Sequence, residues 1–217
     1  MQYVMPTVGK REAKKADKLG RLEQASLDLF LEQGYANTSV EDIVARADIA
    51  RGTFYLYFKS KEALFQHLVD APLRRVLDAL GASREGLRNA STPEESRAAS
   101  RAVEQVLGSL VLEHPRVALL YFREQRNYGT VGDWMRDIAQ VSDALAADIV
   151  TVAMKRGLIR AVNPIVAARA VAGALERVCF DILRGETSMG APLDAGLAAF
   201  DLFLHGFSEH SAVVVDR

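Results

Sequence analysis

Residues 39–57 constrain the fold more than any other part of the chain, because they read as two short helices either side of a tight break. Ser39 is placed to cap a helix, with Asp42 three residues on as a capping-box partner. That helix runs through Ile43 and Val44 to about Ala47. Ala47-Asp48-Ile49 interrupts the pattern, and a second helix starts near Arg51 and runs to about Tyr57. A helix this short is not stable alone. Its sequence, GTFYLYFKSKEALF at 52–65, supplies the remedy. Phe54 and Phe58 lie four apart and share a face, which can bury against Ile43 and Ala47 of the preceding helix and Phe30 of an earlier one. Each buried ring contributes roughly 1.5–3 kcal/mol. Arg51, Thr53, Tyr55 and Tyr57 then fall on other faces, and Lys59 and Lys61 follow directly.

Helical spacing of apolar residues extends over almost the whole chain, and few strand signals interrupt it. The fold class is all-α. A first helix is expected from about Asp17 to Gln33, stopped by Gly34. A further helix starts at Ser60, with Pro72 set to kink or shift it. GASREGLRNAST, from residue 81, reads as a loop. Thr92-Pro93-Glu94-Glu95 is a helix start, and His114-Pro115 is a break. Helices are then expected to about Arg126, from about Asp133 to Arg156, over Pro164–Arg184 and over Leu193–Phe207. The organisation that follows is residues 1–65 as a basic N-terminal arm and a three-helix domain, and residues 66–217 as a larger helical domain.

Composition narrows the function. The chain has 217 residues and a net charge of −1. Residues 1–21 hold Lys10, Arg11, Lys14, Lys15, Lys18 and Arg21 against Glu12 and Asp17, a net of +4, which leaves −5 on the remainder. A basic arm on an acidic body fits a polyanion partner for the arm, or a solvated tail. No apolar run approaches the ~18–20 residues of a membrane span, and the charges follow a short apolar start, the reverse of a signal peptide; no membrane association and a cytoplasmic location are the expectation. The lone Cys179, in LERVCFDIL, reads as a small buried hydrophobe rather than a reactive thiol. There is no Gly-rich phosphate loop, no G-x-S-x-G and no H-E-x-x-H. His67, His114, His205 and His210 are scattered, so no catalytic residue, metal site or cofactor is expected.

A three-helix unit whose last two helices form a helix-turn-helix places its second helix in the major groove of double-stranded DNA. Helix amides and lysines at the start of the following helix make a phosphate clamp. Arginine pairs bidentately with guanine, so Arg51 is the expected base reader. Tyr57 is either a DNA contact or partly buried, and Lys59 either a phosphate contact or solvated.

The stretch RLEQASLDLFLEQGYANTSVEDIVARADIARGTFYLYFKSKEALF resembles the DNA-binding domain of the TetR family of transcriptional regulators. The resemblance is carried by Phe30, Gly34-Tyr35, Thr38-Ser39-Val40, Asp42-Ile43, Ala47, Gly52-Thr53, Tyr55, Tyr57-Phe58 and Lys59-Ser60-Lys61-Glu62. It implies Ser39, Thr53, Tyr55, Tyr57 and Lys61 as DNA contacts beside Arg51. The sequence departs from the family's A-G-V-S turn at Ala47-Asp48-Ile49-Ala50: Asp48 must take a left-handed backbone in place of Gly, and Ala50 cannot cap.

The resemblance also implies a larger domain that binds a small-molecule effector and forms a homodimer through residues 164–184 and 193–207. Apolar faces on those segments permit such an interface, or packing within one subunit. Leu119, Phe122, Trp134, Ile138, Val141 and Phe180 are the candidate ligand-binding residues, or plain core. Arg123 and Arg126 could meet an anionic ligand or form a solvated face. The function implied is a repressor released from operator DNA by a small hydrophobic ligand. The alternative is a ligand-independent helix-turn-helix or architectural DNA-binding protein.

Overall fold

A computed structural model describes residues 9–127 and 129–185. Among them are eight helices and no strand, the all-α class that the periodicity requires. The chain divides into two units, Met1–Val69 and Asp70–Arg217.

The first unit is built on α1 (Lys10–Gln33), α2 (Val40–Arg46), α3 (Arg51–Tyr55) and the start of α4 (Lys61–Asn89). α1 begins seven residues before the expected Asp17, because the Lys-, Ala- and Glu-rich arm is itself a good helix former and Glu12 reaches back to the Gly9 amide. Gly34, at φ 88°, ends it in a conformation that favours glycine. Leu22, Phe30, Ile43, Phe54, Leu64 and Phe65 are fully buried. Phe54 and Phe58 are both buried, as expected, and their rings meet at 6.0 Å between centroids, tilted by 51°. Phe30 takes its ring partners elsewhere, from Tyr35 at 5.4 Å and Phe65 at 5.9 Å.

The second unit comprises the rest of α4, α5 (Pro93–Glu113), α6 (Pro115–Glu124), α7 (Thr130–Lys155) and α8 (Pro164–Leu183). α8 packs on α7 and α6, and α6 on α5. The starts follow their caps: Thr92 accepts from the Glu95 amide at 3.2 Å, and Asn163 from the Val166 amide at 3.1 Å. One expectation fails here. Residues 81–89 are not a loop but the last turns of α4, which also continues through Pro72. Ala79, Ser83, Leu87 and Ala90 are buried at helical spacing, and burial of that stripe outweighs the turn-like composition. Gly86 is there for packing: a Cβ would come within 2.8 Å of the Ala99 Cβ on α5. The expected helix over 193–207, with His205 and His210, lies outside the described residues.

Candidate nucleic-acid interface

The interface starts at the cap of α2. The Ser39 Oγ accepts from the Asp42 amide at 3.0 Å, and the Asp42 carboxylate accepts from the Ser39 amide at 2.9 Å and hydroxyl at 2.6 Å. Those bonds, the side-chain one first, hold the Asp42 carboxyl below its ordinary value. Ser39 is thus the expected cap, with its hydroxyl already engaged.

The turn between α2 and α3 takes the form its sequence demands. Asp48 sits at φ 49°, the one positive φ outside glycine among the described residues. Its carbonyl and carboxylate both accept from Arg21 Nη2 of α1, at 2.8 and 2.9 Å. Ala50 precedes α3 without a side-chain cap. Both departures from the glycine-and-serine turn are therefore realised, and α1 supports the first of them.

On α3 the buried Phe54 turns the opposite side outward. Arg51 is exposed, Thr53 is half-buried, Tyr55 is 48% exposed and Leu56, just past the helix end, is 81% exposed. Arg51 Nη1 lies 2.6 Å from Glu41 Oε1 of α2, and its guanidinium carbon is 5.9 Å from the centroid of the Tyr55 ring. Tyr55, foremost, and then Glu41 raise the Arg51 pKa, so the group stays charged. A fixed cation, a hydroxyl and a phenol on one exposed helix are suited to base edges and phosphates. Neither Glu41 nor Leu56 stands out in the sequence. The signal for Glu41 is an opposite charge at the start of the helix paired with the one bearing Arg51.

Two of the expected contacts face inward. The Tyr57 hydroxyl donates to the Lys15 carbonyl of α1 at 3.1 Å, and the side chain is half-buried. The Lys61 ammonium donates to the carbonyls of Tyr35 at 2.8 Å and Thr38 at 2.6 Å, and lies 4.2 Å from the centroid of the Tyr35 ring. Lys61 thus ties the first turn of α4 to the α1–α2 connection. Lys59 is exposed.

In the second unit the six ligand candidates lie on α6 (Leu119, Phe122), α7 (Trp134, Ile138, Val141) and α8 (Phe180). All are half-buried except Val141, which is 51% exposed. A cleft of about 300 Å³ lies away from them, lined by Arg88, Asp148, Thr151, Val152, Lys155 and Arg156. Arg156 is itself engaged, donating to the Leu87 carbonyl at 2.8 Å and the Arg88 carbonyl at 3.2 Å, where α4 ends. Arg126 pairs with Glu176 at 2.7 Å. Burial, with Glu176 and Asp143 nearby, pushes the Tyr121 phenol up to about 12. Cys179 is half-buried and burial raises its pKa, as suits a thiol used for packing. Among the described residues no cluster of three or more His, Cys, Asp or Glu could hold a metal ion, and no helix is long and apolar enough to cross a membrane.

A capped helix, a left-handed turn and a short aromatic-anchored helix with an exposed polar face define a helix-turn-helix unit, here followed by a larger helical one. Residues 24–68 match the family described as "Bacterial regulatory proteins, tetR family". The helix-turn-helix unit is thus a TetR-type DNA-binding domain. It is 40% identical over 63 residues to the HTH-type transcriptional regulator YvdT of Bacillus subtilis, a match covering 29% of this chain and 32% of that protein. The chain spans between 17% and 35% of the length of the first such relatives. Among solved structures it is similar to NalD of Pseudomonas aeruginosa, the secondary repressor of the MexAB-OprM multidrug efflux pump. That similarity has a TM-score of 0.67 at 22% identity and covers 93% of this chain and 100% of that one. It is similar also to the regulator FadR of Bacillus subtilis in complex with stearoyl-CoA, with a TM-score of 0.64 at 19% identity, covering 87% and 98%.

Proposed function

We propose that the protein is a sequence-specific, DNA-binding transcriptional regulator that acts as a homodimer on double-stranded operator DNA. The observation that carries this is the polar surface of α3, with Arg51 and Tyr55 exposed one turn apart and Thr53 half-buried beside the buried Phe54, in a unit matching a family of bacterial regulators. The half-buried Ser39 at the cap of α2 and the exposed Lys59 are further candidate contacts. α8 supports the dimer: Ile165, Val166, Ala170, Gly173 and Ala174 are exposed along it, an apolar, small-residue surface suited to close helix approach. Two recognition helices on one dimer would read half-sites ~34 Å apart, or a multiple.

The test is selection of binding sites from a randomised duplex pool, with footprinting and sizing of the full chain. A near-palindrome bound by a dimer is the expected result. One asymmetric half-site, or a monomer on DNA, overturns the reading.

The finer reading is a repressor released by a small hydrophobic effector bound in the second unit. It is supported by the helical second unit and by the fold shared with NalD and with FadR in its stearoyl-CoA complex. α4 is one continuous helix carrying residues of both units, and is the element through which an effector would act. A coupling of 1–3 kcal/mol weakens DNA binding roughly 5–150-fold, and linkage requires DNA to weaken the effector by the same factor. Stearoyl-CoA and a small-molecule panel, titrated with and without the selected DNA, test it. Equal affinities in both titrations favour the ligand-independent alternative.

A further inference from the structure

We propose that Glu41 is a specificity-determining positioning residue: its carboxylate holds the Arg51 guanidinium toward a base edge and keeps it from the phosphate backbone. The proposal rests on the reading of Arg51 as a base contact. The Glu41–Arg51 pair is close, at 2.6 Å, yet its side chains are 57% and 62% exposed. Exposed pairs of this kind contribute little to folding, so stability does not account for it. Nor does DNA affinity. The first helix of a helix-turn-helix crosses the DNA backbone, and a carboxylate at its second residue faces a polyanion. The other acid of α2, Asp42, is spent on the cap, and the one arginine of that helix, Arg46, is held by Glu32 at 2.9 Å. Among the described residues, Glu41 is the acid of α2 that forms an ion pair with the recognition helix.

What such a carboxylate can give is orientation. The guanidinium is a planar fork with five N–H donors, and Glu41 takes it at Nη1, one corner. The Tyr55 ring borders it from its own helix. A long side chain bracketed in this way is presented in one orientation, with donors left for the paired acceptors of guanine, O6 and N7. The same negative charge repels a phosphate that would otherwise capture Arg51 without reading sequence. Selectivity is gained and non-specific binding is lost.

The experiment is a double-mutant cycle on the full chain. A site is first selected with the wild type from a randomised duplex pool. Glu41→Gln, Arg51→Ala and the double variant are then titrated against that site, its three single-base variants at each position, and random-sequence duplex, over a range of salt. Glu41→Gln is expected to bind random duplex more tightly, to steepen the salt slope by about one, and to lose roughly tenfold in discrimination at the position that Arg51 reads. In the Arg51→Ala background it should change no base preference. If Arg51→Ala leaves base preference intact, the base-reading role itself fails and this proposal with it. If Arg51→Ala abolishes the preference at one position while Glu41→Gln leaves it unchanged, or shifts preference equally without Arg51, the base reader stands and only the role of Glu41 is overturned.

Discussion

Replacing Lys61 by methionine separates two roles that the sequence leaves fused. As a phosphate contact, Lys61 would contribute one unit of salt dependence and little stability. The structure places its ammonium on two carbonyls, of Tyr35 and Thr38, and beside the Tyr35 ring. Removing one charge-assisted hydrogen bond costs about 1.5–3 kcal/mol, and an exposed cation–π contact about 0.5–1 kcal/mol. Water reaches the vacated carbonyls of this half-buried turn and recovers part of that. Methionine keeps the stem's packing, so a net loss of about 2–3 kcal/mol is expected. For a unit of this size the melting temperature then falls on the order of 10 °C. Denaturant titration with wild-type m-value and a shifted midpoint measures the first quantity, and the slope of DNA affinity against salt the second. The reasoning predicts a large stability loss and a salt slope within a few tenths of the wild type for the molecules that remain folded. A slope reduced by about one, with unchanged stability, refutes it and returns Lys61 to the phosphate backbone.

Asp48→Ala should destabilise the first unit by about 1–2 kcal/mol through left-handed backbone strain, whereas Asp48→Gly should be near neutral, since the pair it loses with Arg21 is exposed; thermal melts of both variants check this. Ser39→Ala should cost about 1 kcal/mol at neutral pH through loss of the cap. The folded Asp42 carboxyl lies below its ordinary value, so its contribution is present above that value and lost as pH falls through the folded one; denaturant titrations from pH 7 to 3 should show the two proteins converging below about pH 4. Tyr121 is raised from 10.0 to about 12. Burial therefore favours its neutral form, and stability falls as pH rises through that window. Tyr121→Phe should abolish this part of the alkaline loss, and ultraviolet titration of the phenols should lose its latest step.

What was legible in the sequence was whatever depends on spacing and local chemistry. Ser39 and Asp42, and Thr92 and Glu95, announce their caps because a cap involves neighbours three residues apart. Phe54 and Phe58 announce their burial because four residues make one turn. The loop expected from residue 81 was an error of weighting: glycine and polar residues read as a turn, while the stripe Ala79, Ser83, Leu87 and Ala90 was already helical, and Gly86 records a close approach to α5. The partners of Tyr57 and Lys61 were beyond reach. A tyrosine bound to a carbonyl 42 residues earlier, or a lysine to carbonyls 26 and 23 residues earlier, leaves no periodic trace, because backbone carbonyls occur at every position. Residue type allowed either DNA or protein as the acceptor, and only the tertiary arrangement distinguishes them.

The same limit explains why an unusual turn can be sound. Without glycine, the αL position between α2 and α3 should cost stability, and without serine the start of α3 lacks a cap. The first is met from outside the motif, by Arg21 on α1, which binds both the carbonyl and the carboxylate of Asp48; glycine could offer only the carbonyl. The second has no such support, and α3 depends on Phe54 and Phe58 for its place. A helix anchored by two rings at its far end, with no cap at its start, is held least firmly where Arg51 stands. The carboxylate of Glu41, 2.6 Å from that arginine, orients the guanidinium there but, as half of an exposed pair, adds little to the stability of the helix end. The missing cap and the ion pair are thus separate matters, one of helix order and one of side-chain orientation. Restoring serine at position 50 should firm the start of α3 by about 1 kcal/mol, which slower amide exchange at Arg51 to Phe54 would register, whereas Glu41→Gln should leave that exchange nearly unchanged.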